Sequence, residues 1–155
     1  MLQLSLKLES GPETKAAHFN QSLTEAMKES VRRWHKSAGP EHFKRGAGRK
    51  YQYKPRTRKY QNRKNRLGKP PLVWSGRAMR QILRTIKPIG SKGVVKGKFV
   101  TDVRIRYWWT TKPGHPNKGA EMVKTTPTEV RKLQKVIEKT TVDNLDAVRE
   151  IKKVG

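Results

Sequence analysis

The residues whose side chains are best suited to binding chemistry lie in one basic segment that also contains three tyrosines. Its cations are Arg49, Lys50, Lys54, Arg56, Arg58, Lys59, Arg63, Lys64 and Arg66, and its aromatic residues are Tyr51, Tyr53 and Tyr60. Guanidinium groups pair with phosphates and carboxylates, and tyrosines stack on bases or on arginines. The sequence therefore predicts a segment that binds polyanions or acidic protein surfaces. The alternative interpretation of the tyrosines is that they anchor the segment onto the domain.

The distribution of charge favours a binding role for this segment. The chain of 155 residues has a formal net charge of +25. From Phe43 to Thr101 there are 19 Lys or Arg residues and no Asp or Glu, so this stretch alone carries +19. A stretch this basic repels itself unless polyanions, counterions or acidic partners neutralise it. A solvated loop is the plainer interpretation, but the length and single sign of the run favour a partner.

Residues that could support catalysis are scattered along the chain. The histidines have no metal-ligand spacing, and we expect them at the surface or its boundary: His18, His35, His42 and His115. The central stretch has no carboxylate for an acid–base or magnesium site. With no Cys, the chain has neither disulfides nor thiolate zinc sites. We therefore predict no enzymatic activity, no cofactor and no metal.

Two amphipathic helices must position the basic segment. Apolar residues from Phe19 to Trp34 recur every three or four positions, which predicts a helix over residues 12–37 that ends at Gly39-Pro40. A capping box, Thr126-Pro127-Thr128-Glu129, opens a second helix that extends to about Ile151. The β-branched run Thr140-Thr141-Val142 predicts a kink or break inside this helix.

Shorter elements complete the predicted fold. Leucines at alternate positions from Leu2 to Leu8 indicate a strand, and residues 93–100 and 102–109 have the pattern of an antiparallel hairpin. Ser75 is the predicted N-cap of a short helix whose apolar stripe runs from Met79 to Ile86 and stops before Pro88. Residues 40–73 have neither a helical nor a strand period, and residues 110–124 contain Pro-Gly and Pro-Asn pairs, so both are predicted loops.

These elements predict an α+β fold, in which two long amphipathic helices pack on a small antiparallel sheet and a long basic loop projects from them. The length fits a single domain over residues 1–155. Its parts are a strand and helix in 1–39, the extended basic loop in 40–73, and the short helix, hairpin and C-terminal helix in 74–155. The first residues do not match a signal peptide and no apolar run suits a membrane span, so we expect no membrane association.

Three segments carry a resemblance to a known family. The segment Pro71-Leu72-Val73-Trp74-Ser75-Gly76-Arg77-Ala78-Met79-Arg80-Gln81-Ile82 resembles the signature P-L-x-x-[ST]-G-x-L-x-x-x-I of tailed-phage head–tail joining and tail-completion proteins. Pro40-Glu41-His42-Phe43 and the stretch from Tyr51 to Tyr60 are similar to phage-encoded members of this virion-morphogenesis group. The closing helix, which Thr126-Pro127-Thr128-Glu129 opens, adds to the resemblance. Ala78 or Met79 stands where the family usually has Leu.

The resemblance implies a structural protein of the virion neck or tail terminus, assembled in the host cytoplasm. Such proteins form homo-oligomeric rings, commonly of six or twelve copies, that join or seal the head–tail DNA conduit. The implied partners are portal, adaptor or tail-tube proteins, together with packaged DNA through non-specific contacts. On this hypothesis the cations of the basic segment bind these partners, and the loop is anchored by Tyr51, Tyr53, Tyr60, Trp74, Ser75 and Gly76.

A second hypothesis is a ribosomal-type RNA-binding protein with a basic extended arm. Charged residues make up 32% of the chain, and the basic segment lies between folded elements, as in arms that fold only against RNA. The two well-capped helices and the acidic residues near the termini count against this hypothesis. A nuclease or integrase fragment would need carboxylates that the central stretch lacks.

Overall fold

The computed structural model describes residues 2–5, 13–70, 72–73, 75–91, 94–101, 108 and 116–154, with side chains described between Ala16 and Asp146. The fold is α+β, as predicted. Its elements in chain order are β1 (Leu2–Ser5), α1 (Glu13–Ser37), a 3-10 helix (Gly39–Phe43), α2 (Ala47–Lys50), α3 (Arg58–Arg66), α4 (Arg77–Arg84), β2 (Ile86–Ser91), β3 (Val94–Phe99), α5 (Lys118–Met122) and α6 (Pro127–Val154). Within the described ranges, no helix has the length and apolar character that a bilayer crossing requires.

The sheet has three described strands, with β3 between β1 and β2 and both pairings antiparallel. The predicted hairpin of residues 93–100 with 102–109 is wrong, because β1 and β2 occupy both sides of β3. Of the predicted strand over 102–109, only Trp108 belongs to the described residues. Residues along β3 are alternately exposed and buried. On the buried face, a Cβ at Gly97 would lie 2.9 Å from Val31 Cγ1, so the close approach of α1 to the sheet requires glycine there.

The core lies between α1, the sheet and α6. Helix α1 packs against both β2 and β3 on one side and against α6 on another. Ser30 Oγ donates a hydrogen bond to the Leu133 carbonyl at 3.5 Å, which joins the two long helices. Burial of each large apolar side chain contributes about 1.5–3 kcal/mol. The central members of this core are Leu23, Met27, Val31, Trp34, Ile82, Val95, Phe99, Leu133 and Ile137.

Helix α6 begins at the predicted capping box and continues without the predicted break. The Glu129 amide donates to Thr126 Oγ1 at 3.2 Å, and the Thr126 amide donates to Glu129 Oε2 at 3.0 Å. Further along, Thr141 Oγ1 donates to the Ile137 carbonyl at 2.7 Å. This bond satisfies a buried hydroxyl inside the helix, so the β-branched run does not interrupt it.

Residues 40–73 are not the extended loop that the sequence predicted, because they contain the 3-10 helix, α2 and α3. Helix α3 has no aliphatic residue, so no apolar period could reveal it. Thr57 caps it, since the Tyr60 amide donates to Thr57 Oγ1 at 3.4 Å. The predicted loop over 110–124 likewise contains α5, which Asn117 caps by accepting from the Ala120 amide at 2.9 Å.

The boundaries of α4 differ from the prediction at both ends. The N-cap position is held by Gly76, at φ 76°, rather than by Ser75, whose Oγ accepts from the Arg77 amide at 3.4 Å. The helix ends at Arg84, so Ile86 is the first residue of β2 instead of the last apolar residue of a helix. Pro88 lies inside β2, and it is tolerated there because β2 is an edge strand among the described strands.

Candidate functional site

Aromatic rings hold the start of the basic segment against the core. His42 of the 3-10 helix is fully buried, and Tyr51 stacks on its imidazole with ring centroids 3.7 Å apart and planes 13° apart. Tyr53 Oη lies 2.7 Å from His42 Nδ1, and the Trp34 ring lies 5.9 Å from the imidazole centroid. Tyr51 and Tyr53 are therefore engaged inside the fold instead of being presented to a ligand.

The environment of His42 keeps its ring neutral at pH 7. Burial lowers the pKa of His42 to about 4, against the opposing influence of the Glu129 carboxylate. The prediction of surface or boundary histidines is wrong for His42 and for His35, which is buried with Nε2 2.7 Å from the Ile82 carbonyl. His18 is exposed on α1, and His115 is outside the described residues. Among the residues that are described, no three His, Asp or Glu side chains are placed to hold a metal ion.

The partly buried carboxylate of Glu129, at the start of α6, holds the same part of the basic segment. The Tyr51 hydroxyl donates to Glu129 Oε1 at 2.7 Å, and Lys50 Nζ lies 3.2 Å from that oxygen. Burial raises the pKa of Glu129, but hydrogen bonds from the Thr126 backbone, Tyr51 and Lys50 outweigh burial and hold the pKa below its ordinary value. Glu129 therefore caps α6 and anchors the basic segment at once.

A second carboxylate, which is buried and comes from α5, holds the segment just before α3. Glu121 is 4% exposed, and its two oxygens accept hydrogen bonds from both terminal nitrogens of the Arg56 guanidinium. The backbone amide of Lys54 donates to Glu121 Oε1 at 3.1 Å, and Lys124 Nζ donates to the Gln52 carbonyl at 2.5 Å. Arg56 is thus half of an internal, bidentate ion pair, and its charge is neutralised within the domain.

Lys64 fastens α3 to the chain that follows it. It is the one buried residue of this helix, and its Nζ donates to the carbonyls of Pro70, at 3.0 Å, and of Val73. Burial lowers the pKa of Lys64 to about 8, which leaves most of the amine charged at pH 7. Lys64 therefore has a structural role, since its amine joins α3 to the chain around Pro70 and Val73, although the sequence analysis grouped it with the binding cations.

Four cations of α3 are exposed, and we call them the basic ridge: Arg58, Lys59, Arg63 and Arg66. The other predicted binding residues differ in whether a carboxylate lies near their charge. The side chains of Arg49 and Lys54 are exposed, whereas Lys50 lies within ion-pair distance of Glu129 and of Glu41. The sequence could not separate these roles, because Glu121, which pairs with Arg56, and Glu129, which lies nearest to Lys50, come from distant parts of the chain.

A cleft lies on each side of α3, and Arg56 and Lys64 line both clefts. The α4-side cleft, with a volume of about 530 Å³, combines an apolar wall with the further cations Lys59, Arg63 and Lys118. The α2-side cleft, of about 650 Å³, is lined by the cations Arg45, Lys54 and Lys69 and by the amides of Gln61 and Asn65. Among the described residues, no Asp or Glu lines either cleft.

The remaining predicted anchors lie beside these clefts. Tyr60 is half-buried and lines both of them, while Ser75 and Gly76 line the α4-side cleft. Trp74 is outside the described residues. Burial raises the pKa of the Tyr60 hydroxyl. Tyr60 therefore lies between the two clefts, and its role as an anchor stays a prediction.

Sequence reasoning missed several residues of the site, since they are remote from the basic segment or carry no spacing signal. The missed residues are Arg45, Lys69 and Lys118 as cleft cations, and His42, Glu121 and Glu129 as anchors. Only Glu129 had a recognisable signal, its place in the capping box. Comparisons of the whole chain with protein-family models, with curated proteins and with solved structures found no match.

Proposed function

We propose that this protein is a structural component of a tailed-phage virion, at the neck or the tail terminus, where copies form a ring that joins or seals the DNA conduit. The observation that carries the proposal is that the three segments of the phage resemblance fold into one unit around α3. His42, from segment 40–43, stacks on Tyr51 of segment 51–60. Lys64 of α3 binds the carbonyl of Val73, which belongs to segment 71–82.

The arrangement of segment 71–82 supports the same proposal. Its Ser75 and Gly76 line the α4-side cleft together with Lys59 and Arg63 of the basic ridge. The residues that carry the resemblance therefore build the support for one displayed helix.

The surface and the core of the domain suit assembly into a ring. Only 33% of the residues are hydrophobic, so the domain has a small core for its length and gains stability from subunit contacts. Large apolar side chains nevertheless remain exposed at the sheet, namely Ile89, Val94 and Val100. Ring closure needs heterologous contacts between subunits, to which these exposed side chains can contribute.

The ribosomal-type alternative has less support than the virion proposal. That hypothesis depends on an extended arm that folds only against RNA. The segment folds instead against its own domain, through the bonds from Tyr51 to Glu129 and from Arg56 to Glu121. These internal contacts favour a preformed docking surface, as the virion proposal requires.

Deletion of the gene in a phage-producing strain tests the proposal. Electron microscopy is expected to show DNA-filled heads separate from tails, and a wild-type copy supplied in trans restores joined particles. A copy with Arg131, Lys132 and Lys135 changed to Gln, three exposed positions on α6, serves as the control and also restores them. Normal infectious particles in the absence of the protein would overturn the proposal.

A further inference from the structure

Helix α3 is built almost entirely from side chains that bind anions. Its nine residues comprise five cations, three amide side chains and Tyr60, with no acidic and no aliphatic residue. The centres of protein–protein interfaces are enriched in aromatic residues, Met and Arg and depleted in Lys. The exposed surface of α3 has arginines, but beside them it has Lys59 and amide side chains and no exposed aromatic or aliphatic residue. It therefore fits a nucleic-acid backbone better than an acidic protein surface.

The engaged tyrosines indicate a paired rather than a single strand. Proteins that hold single-stranded nucleic acid use exposed aromatic rings as stacking platforms for successive bases. Tyr51 is 3% exposed and stacked on His42, and Tyr53 is hydrogen-bonded to the same imidazole. Tyr60 is half-buried between the clefts. The basic segment thus offers cations without a row of available rings.

The dimensions of α3 and its two clefts fit a B-form DNA duplex better than an RNA duplex. An α-helix with its side chains is about 10–12 Å wide, and the major groove of B-DNA is about 12 Å wide. The major groove of A-form RNA is too narrow and deep for side chains to enter. A helical ridge with a cationic cleft on each side matches a groove bordered by two phosphate strands, and no acidic residue among those described lines either cleft.

We infer that the basic ridge binds the phosphate backbone of double-stranded DNA, with the phosphates of the two strands entering the α4-side and α2-side clefts. The inference rests on the proposed function, because a ring at the DNA conduit places this surface next to duplex DNA. Arg56 and Lys64 line both clefts but are held by Glu121 and by backbone carbonyls. They shape the site, while the exposed cations contact the phosphates.

Fluorescence anisotropy with purified protein and a labelled DNA duplex of about 20 base pairs tests the inference. The key variant, called the ridge variant, changes three exposed cations to Gln: Lys59 and Arg63, which line the α4-side cleft, and Lys54, which lines the α2-side cleft. The matched control changes Arg131, Lys132 and Lys135 of α6 to Gln. Each lost phosphate contact lowers the slope of log affinity against log salt by about 0.9, so the ridge variant is expected to lose about 2–3 units of slope and more than about tenfold in affinity. The control is expected to stay within about twofold of wild type. Circular dichroism verifies that both variants are folded.

Three other ligands complete the experiment: the corresponding single strand, an RNA duplex of the same sequence, and poly-Glu of similar charge. Tighter binding of any of these than of the DNA duplex overturns the inference, as does an equal loss of affinity in the ridge variant and the control. The result is separable from the proposed function. If the protein is found in particles but its ridge does not bind DNA, only the inference is refuted. If the protein binds DNA but is absent from particles, only the virion role is refuted.

Discussion

His42 shows how one buried side chain makes stability depend on pH. Burial lowers its pKa from 6.5 to about 4, so the folded protein resists protonation that the unfolded chain accepts. Between pH 6.5 and pH 4 the unfolded state therefore binds more protons than the folded state. The contribution of His42 to the free energy of unfolding is therefore fully present above about pH 6.5. It is lost as the pH falls through this window, which lowers the free energy of unfolding by up to about 3 kcal/mol.

Urea unfolding at a series of pH values between about 7.5 and 4.5 measures this dependence. The variant His42→Gln is expected to show a much smaller change of unfolding free energy over the window. The variant His18→Gln, at an exposed position on α1, is expected to keep the wild-type dependence. An unchanged dependence in His42→Gln would contradict the assignment of the effect to this ring.

The sequence identified the cations of the site but could not sort them. Arg56 and Arg58 are two residues apart and chemically identical, yet the first is an internal ion-pair partner and the second is exposed. The difference comes from Glu121, which lies 65 positions further along the chain. No local pattern encodes such a pairing, because it depends on how α5 is placed against the segment before α3.

Elements with a strong apolar period were predictable, and the others were not. Both long helices follow from their stripes and from the Thr126–Glu129 capping box, since their burial requires that spacing. Helix α3 is held by the Lys64 amine and therefore leaves no apolar signal. The sheet pairing was missed because strand propensity does not specify a partner, and Ile86, the first residue of β2, was assigned to the helix that ends before Pro88.

The attachment of the basic segment to α5 can be tested with Glu121→Gln. Glutamine keeps the shape of the side chain but leaves the charge of Arg56 without its counterion, so the unfolding free energy is expected to fall by about 3 kcal/mol. The control Glu25→Gln breaks a pair with Lys28 in which the Glu25 side chain is 50% exposed, and its expected cost is below about 0.5 kcal/mol. Chemical denaturation measures both changes. Equal costs would show that Glu121 does not anchor the segment.

At the scale of the whole molecule, the excess charge and the small core are the features for which the proposed partners would compensate. A net charge of +25 on 155 residues opposes compactness through self-repulsion, and DNA or acidic partner surfaces would relieve it under the proposed function. The sequence was sufficient for the α+β class, since two amphipathic helices and short strands leave few ways to bury their faces. It could not show that the basic segment is folded, because its anchors are contributed by α5 and α6.

Sedimentation of a nuclease-treated lysate of producing cells through a sucrose gradient, with quantitative mass spectrometry of each fraction, tests the virion role most directly. We expect the protein to travel with full or tailed particles, at the six or twelve copies per particle that a ring implies. Retention after nuclease treatment would show that its place in the particle depends on protein contacts. Migration with ribosomal subunits, and release from them in high salt, would contradict the virion role and establish the RNA-binding alternative.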